Sequence, residues 1–150
     1  MAKKKASSGA ISNRRARFDY DLEDTFTVGM MLTGAETKAL RLGRGQLQGA
    51  YVNVLNDELW LVGAHISPPI GILLPEDEQA RSRKLLAKRS EIDKLVAARK
   101  DGRTIVPLEV ITRGRYIKLK IAIGKGKKRY DKRETIKRRE QERDIKRQAA

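Results

Sequence analysis

Residues 50–66 read AYVNVLNDELWLVGAHI, two runs rich in β-branched and apolar residues separated by Asn56-Asp57. Asn and Asp close turns by bonding their own backbone, so AYVNVL and ELWLVGAHI are predicted to pair as an antiparallel hairpin. Pro68, Pro69 and Gly71 end the second strand, because proline has no amide to give to a ladder. This hairpin commits the middle of the chain to an antiparallel sheet.

The chain after it adds more strands. Thr104 to Ile111, TIVPLEVI, is apolar and β-branched, and Pro107 marks it as an edge strand or a bulge. Arg113-Gly114-Arg115 turns the chain into YIKLKIAIG, where Tyr116, Lys118, Lys120 and Ala122 share one face and Ile117, Leu119, Ile121 and Ile123 the other. Before the hairpin, FDYDL alternates from Phe18 like a short half-buried strand, and Glu23 to Thr27 is read as one helical turn before Gly29. Met31 to Leu42 threads as a strand or as a helix, with Gly34 favouring the strand. Pro75 with Glu76, Asp77 and Glu78 opens a helix running to Lys100, in one piece or broken near Ser82, with Leu85, Leu86, Ile92, Leu95 and Val96 on one side. Asp101-Gly102 stops it. The sum is a mainly β fold with short helices: five or six antiparallel strands closing into a small OB-like barrel.

The charge sits at the two ends. The chain has 34 Lys and Arg against 19 Asp and Glu, a net of +15 over 150 residues. Residues 1–17 carry six bases and no acids, and Lys125 to Arg147 holds twelve bases and five acids, so the body between them is nearly neutral. Three parts follow: a flexible basic arm at 1–12, an OB-like RNA-binding barrel at 13–124, and a basic tail at 125–150 that has no core to bury. The tail still carries helix signals, a capping box from Asp131 to Glu134 and acid-before-base pairs from Glu134 to Arg138 and from Glu142 to Lys146. An uncored helix is marginal in water, so this tail is expected to be disordered when free and to become helical on a polyanion.

Nucleic acid is the partner this pattern favours. A membrane surface is disfavoured because the tail has no large apolar face, and no segment approaches 18 apolar residues. The opening MAKKKASSGAIS lacks the apolar run of a signal peptide, which leaves a soluble cytoplasmic protein as the expectation. With no cysteine, thiolate metal sites and a Cys nucleophile are excluded, and the single His65 makes no metal cluster. Gly124, Lys125 and Gly126 lack the spacing of a phosphate loop. No cofactor and no catalytic residues are expected. Trp60 and Tyr51 are candidate stacking platforms, but aromatic residues are scarce, at 5%, which favours recognition of folded RNA by shape and phosphate over single-strand stacking and core packing for Trp60.

Three phrases, NRRARFDYDLEDTFTVGMMLTGAETKALR at 13–41, RSRKLLAKRSEI at 81–92 and GKGKKRYDKRETIKRR at 124–139, together resemble the small protein B family of tmRNA-binding proteins. The resemblance runs from about Asn13 to Arg147. It implies a non-enzymatic adaptor of bacterial trans-translation, whose barrel holds the tRNA-like domain of tmRNA and whose tail enters the empty mRNA channel of a stalled ribosome. The implied partners are tmRNA, the small ribosomal subunit with its RNA, and elongation factor Tu indirectly through aminoacylated tmRNA; the chain would act as a monomer. The rival from another class is a ribosomal or general RNA-binding OB protein.

The resemblance assigns tmRNA binding to Asn13, Arg14, Arg15, Glu36, Lys38, Arg41, Lys84 and Lys88. For Glu36, a hydrogen-bonding role in the core and an RNA-orienting role weigh evenly. Ribosome contacts near the decoding region and along the channel fall on Lys125, Lys127, Lys128, Arg129, Tyr130, Asp131, Lys132, Arg133, Lys137, Arg138, Arg139 and Arg143. The chain departs from the family pattern at several places. Thr27-Val28-Gly29 stands for Glu-Ala-Gly, Glu36-Thr37-Lys38-Ala39 for Glu-Val-Lys-Ser, Ala87-Lys88 for Leu followed by Asn or His, and LPEDEQ for a His-Asp/Glu-Pro phrase.

Overall fold

The computed structural model describes residues 11–127 and 129–149. Its centre is the expected hairpin, β4 (Tyr51–Leu55) against β5 (Glu58–Val62), in the register Tyr51 opposite Val62 through Leu55 opposite Glu58. Asn56 and Asp57 both take positive φ, 53° and 61°, the left-handed pair that a two-residue hairpin turn matched to strand twist requires.

Around this hairpin the strands close. β8 (Thr104–Ile111), β4, β5, β7 (Arg83–Leu86), β2 (Tyr20–Met30) and β9 (Lys118–Gly126) pair in that order, and β9 pairs back to β8, so six antiparallel strands form a ring. A short β1 (Ile11–Ser12) adds to β8 outside the ring, and β3 (Gly45–Gln46) pairs with β6 (His65–Ile66) as a separate ribbon. The helices are α1 (Arg14–Asp19), α2 (Gly34–Arg41), α3 (Glu76–Gln79), α4 (Arg89–Lys100) and α5 (Arg129–Ala149). Closure leaves few free edges, and the OB-like reading holds. The main core fills the ring with Val28, Val52, Leu59, Leu61, Leu85, Leu95, Ile105, Leu119, Ile121 and Ile123.

The Pro107 bulge is present: the β8–β9 register shifts between Pro107 and Glu109. Val106 and Leu108, two residues apart and so on one face, form a second small core with Ala16 and Ala122 on the side opposite Ile121, and the bulge returns Val110 to the main core that Ile105 also joins. The α4 stop also holds, with Arg103 N–H returning to the Ala98 carbonyl at 3.0 Å past Gly102 at φ 82°.

Five expectations are corrected. Residues 14–19 are helical and the strand starts at Tyr20, not at Phe18; it continues through Glu23 to Thr27, where a helical turn was expected. Its charged side chains are tolerated because much of this long strand faces outward. Gly34–Arg41 is a helix: the Thr33 hydroxyl accepts from Glu36 N–H at 3.2 Å and the Glu36 carboxylate accepts from Thr33 N–H at 2.9 Å, a capping box that outweighs the glycine. Pro75 does open a helix, but it ends at Gln79, and Arg83–Leu86 is a strand placing Arg83 and Leu85 inward, Lys84 and Leu86 outward. The tail helix runs Arg129–Ala149, so Asp131 lies inside it and not at the start expected for it.

Candidate nucleic-acid interface

At one end of the barrel the N-terminal motif and the root of the tail come together. Asn13 precedes α1 and is only 6% exposed: its backbone N–H donates to Leu108 O at 2.7 Å and Nδ2 to Pro107 O at 3.0 Å, the two carbonyls beside the β8 bulge. Asn13 thus anchors α1 to the barrel, a structural part beyond the contact expected of it. With Asn13 pinned and Ala16 buried, Arg14, Arg15 and Arg17 project to solvent from a short helix. Arg15 bonds Asp19 at 3.3 Å and lies 5.2 Å from the Phe18 ring centre.

The tail is tied to this same helix. Lys127 N–H donates to Asp19 O at 2.9 Å and its Nζ to Arg17 O at 3.3 Å, so Lys127 caps the carbonyl end of α1 where a cation is favoured. Lys125 pairs in register with Asp21 on β2. The Arg139 guanidinium of α5 lies 5.8 Å from the same Phe18 ring centre, and with Ser12, Asn13, Arg14, Arg17, Leu108 and Glu109 it lines a cavity of about 300 Å³. Arg133, Lys137, Arg138 and Arg143 are exposed along α5. Arg129, Tyr130, Asp131 and Lys132 lie on that helix, and Lys128 falls outside the described residues.

The remaining expected contacts divide. Glu36 is 1% exposed, with both carboxylate oxygens engaged: Arg81 donates from Nη2 to Oε1 at 2.5 Å and from Nε to Oε2 at 3.1 Å, and Arg83 from Nε to Oε2 at 2.8 Å. Arg83, 0% exposed, also donates to the carbonyls of Ala64, Glu78, Gln79 and Arg81. Burial pushes the Glu36 carboxyl up, but hydrogen bonds from Arg81, Thr33 N–H and Arg83 outweigh it and hold the group below the ordinary carboxylate range. Burial lowers the Arg83 pKa, partly opposed by Glu36, and a guanidinium still stays charged. Glu36 is therefore a core keystone, and the RNA-orienting alternative does not fit a side chain closed to solvent.

Arg41 is likewise committed, its guanidinium donating to Thr112 O at 2.9 Å, Gly114 O at 3.2 Å and Arg115 O at 2.9 Å. Because it stitches α2 to the 112–115 turn, Arg41→Ala is expected to cost about 1 kcal/mol, a Tm fall of roughly 2–4 °C, while Lys38→Ala on the exposed side of α2 leaves Tm unchanged. Parallel melting curves check this.

Lys84 points outward from β7 and pairs with Glu58 at 2.7 Å. Lys88 is exposed just before α4, its backbone N–H donating to Glu91 at 3.0 Å. The register Gly29 opposite Leu86 carries Thr27 toward Lys88, so the departures at Thr27, Ala87 and Lys88 converge where β2 meets β7. Sequence reasoning missed Arg81 and Arg83, whose partner lies far away in sequence. It also misplaced Trp60, which is partly buried on the outer face of β5 and outside the core; the alternation of ELWLV, with both leucines inward, carried that signal. Among the described residues no helix is long and apolar enough to cross a membrane.

Comparison with known proteins places this geometry in context. The model of the family described as SmpB protein matches residues 10–150. The chain is 46% identical to the SsrA-binding protein of Burkholderia lata over 141 residues, covering 89% of this chain and 92% of that one. It is 46% identical to the SsrA-binding protein of Coxiella burnetii strain Dugway 5J108-111, covering 96% and 92%. With that of Streptococcus thermophilus strain LMD-9 the identity is 47%, covering 90% and 88%. A chain from a solved structure described as "tmRNA-SmpB: a journey to the center of the bacterial ribosome" superimposes with a TM-score of 0.65 at 32% identity, covering 85% of this chain and 94% of that one.

Proposed function

This chain belongs to the SmpB protein family, and on that premise we propose that it is the adaptor that binds SsrA RNA, the tmRNA, and delivers it to ribosomes stalled without a stop codon. The observation that carries the reading is the joining of α1 to the tail root through Lys127, which gathers Arg14, Arg15, Arg17 and Lys125 at one end of a barrel whose body is nearly neutral. Charge on a rigid end positions a folded RNA through its phosphates, while shape supplies specificity.

The tail then has a separate task. Arg133, Lys137, Arg138, Arg139 and Arg143, with the bases from Lys128 to Lys132, would run along the RNA walls of an empty mRNA channel, and the helix would be stabilised there by phosphate. The body reaches RNA a second time near Lys88, where this chain carries a base and, at Thr27, no acid. That combination favours a phosphate contact. Elongation factor Tu would be met only through the aminoacylated RNA, and the protein would act as a cytoplasmic monomer with no reaction of its own.

The test is affinity for the tRNA-like portion of tmRNA and for an ordinary tRNA across a salt series. Nonspecific phosphate binding weakens with a slope of roughly −0.9 per phosphate neutralised on duplex. A preference for tmRNA that persists as salt rises is the expected result; equal affinities that collapse together would leave a general RNA binder.

A further inference from the structure

The outer face of the sheet carries a groove around Lys84 to which the reading above gives no base contact. Trp60 stands on β5 with Asn53 of β4 opposite on one side and Lys84 of β7 opposite on the other. Together with Met31, Leu32, Thr33 and Arg81 at the end of β2 and the start of β7, Trp60 and Lys84 line an open groove of about 430 Å³. Its surface is mostly apolar, with the two cations at hand. Tyr51, 45% exposed, follows on the same face at the diagonal of Trp60, which on adjacent strands is about 7–8 Å.

We infer that this groove takes an unstacked nucleobase of single-stranded RNA, stacked on the Trp60 indole with its phosphate beside Lys84. The inference rests on the RNA-binding reading and extends it to a base contact on the sheet. The occupant follows from chemistry: an indole offers a sequence-tolerant π-face, Met31 a flexible apolar wall, and cations a place for phosphate. The Lys84–Glu58 pair is half-exposed and worth little, so phosphate can displace it. Arg81 is different: its grip on Glu36 fixes the guanidinium in place, so the groove is preformed. Because Glu58 remains nearby, stacking outweighs charge here, and binding should depend weakly on salt.

Trp60 is the sole tryptophan, so its emission reports this site alone. The intact protein is titrated with a six-nucleotide oligoadenylate RNA and with an abasic ribose-phosphate hexamer of equal charge, while anisotropy of end-labelled RNA follows total binding. Oligoadenylate should quench Trp60 saturably and the abasic hexamer should not. Trp60→Leu should weaken oligoadenylate roughly 5- to 100-fold, Trp60→Phe far less, and neither should change the abasic hexamer. Oligoadenylate that fails to bind, or that binds by anisotropy with unchanged emission, overturns the inference, and the wild-type titration decides even if a variant misfolds. The tRNA-like portion of tmRNA separates the two levels. If it binds while oligoadenylate leaves Trp60 emission unchanged, only the base site fails; if it does not bind, the RNA-binding reading fails.

Discussion

Glu36→Ala is expected to destabilise the folded chain by about 3–5 kcal/mol, because it leaves the buried Arg83 guanidinium charged and without its carboxylate. For a chain of this size that is a Tm loss on the order of 10 °C. The same carboxylate caps α2 through Thr33 N–H and fixes Arg81, so one deletion loosens the start of α2 and the approach to β7 together. Arg81→Ala should cost much less, since Arg81 is 37% exposed and its loss leaves Arg83 still paired. The acid limb supports the same assignment. A carboxyl held below its ordinary pKa in the folded state contributes stability that is fully present above the unfolded-state value near 4.5 and disappears as pH falls through the folded one. In Glu36→Gln that component of acid unfolding should vanish, with neutral-pH stability intermediate between alanine and wild type. Urea melts from pH 7 to pH 3 measure both. A Glu36→Ala chain that melts like wild type yet loses RNA affinity would return Glu36 to the RNA surface.

The elements legible in the sequence are those whose cause is local. Asn56-Asp57, the Pro107 bulge, the isoleucine face of β9 and the Asp101-Gly102 stop are each set by a residue's own backbone preference or by period-two burial. The spacing Thr33 to Glu36 was equally local, but a strand threading of the same residues competed with it and Gly34 tipped the choice the wrong way. Arg83–Leu86 failed for another reason. A strand with an arginine facing inward looks like a charged helix surface until its acid partner is known, and that partner is on α2, 47 residues earlier. The basic end of the site was legible as charge, because Arg14, Arg15 and the tail bases are solvent-facing by composition. The structural tasks of Asn13 and Arg41 were not, since each holds backbone carbonyls from 71 to 94 residues away.

Truncation after Lys127 should separate the two halves of the function. Among the described residues no buried core residue lies beyond Ile123, so the barrel should melt within about 1 kcal/mol of the full chain. Arg14, Arg15, Arg17, Lys125 and Lys127 all remain, so affinity for the tRNA-like portion of tmRNA should fall only modestly. The removed segment holds ten bases and five acids, and the salt dependence of nonspecific RNA binding should flatten accordingly. Peptide tagging on ribosomes stalled at the end of a message should be lost, because the segment proposed to enter the mRNA channel is the part removed. Arg139 tests the division at its weakest point, since it contacts Phe18 and the Asn13 cavity while belonging to the tail. If truncation abolished tmRNA binding along with tagging, α5 would have to be part of the barrel's RNA surface. Restoring affinity by extending the truncated chain only as far as Arg139 would then locate that contribution in the first turns of the helix.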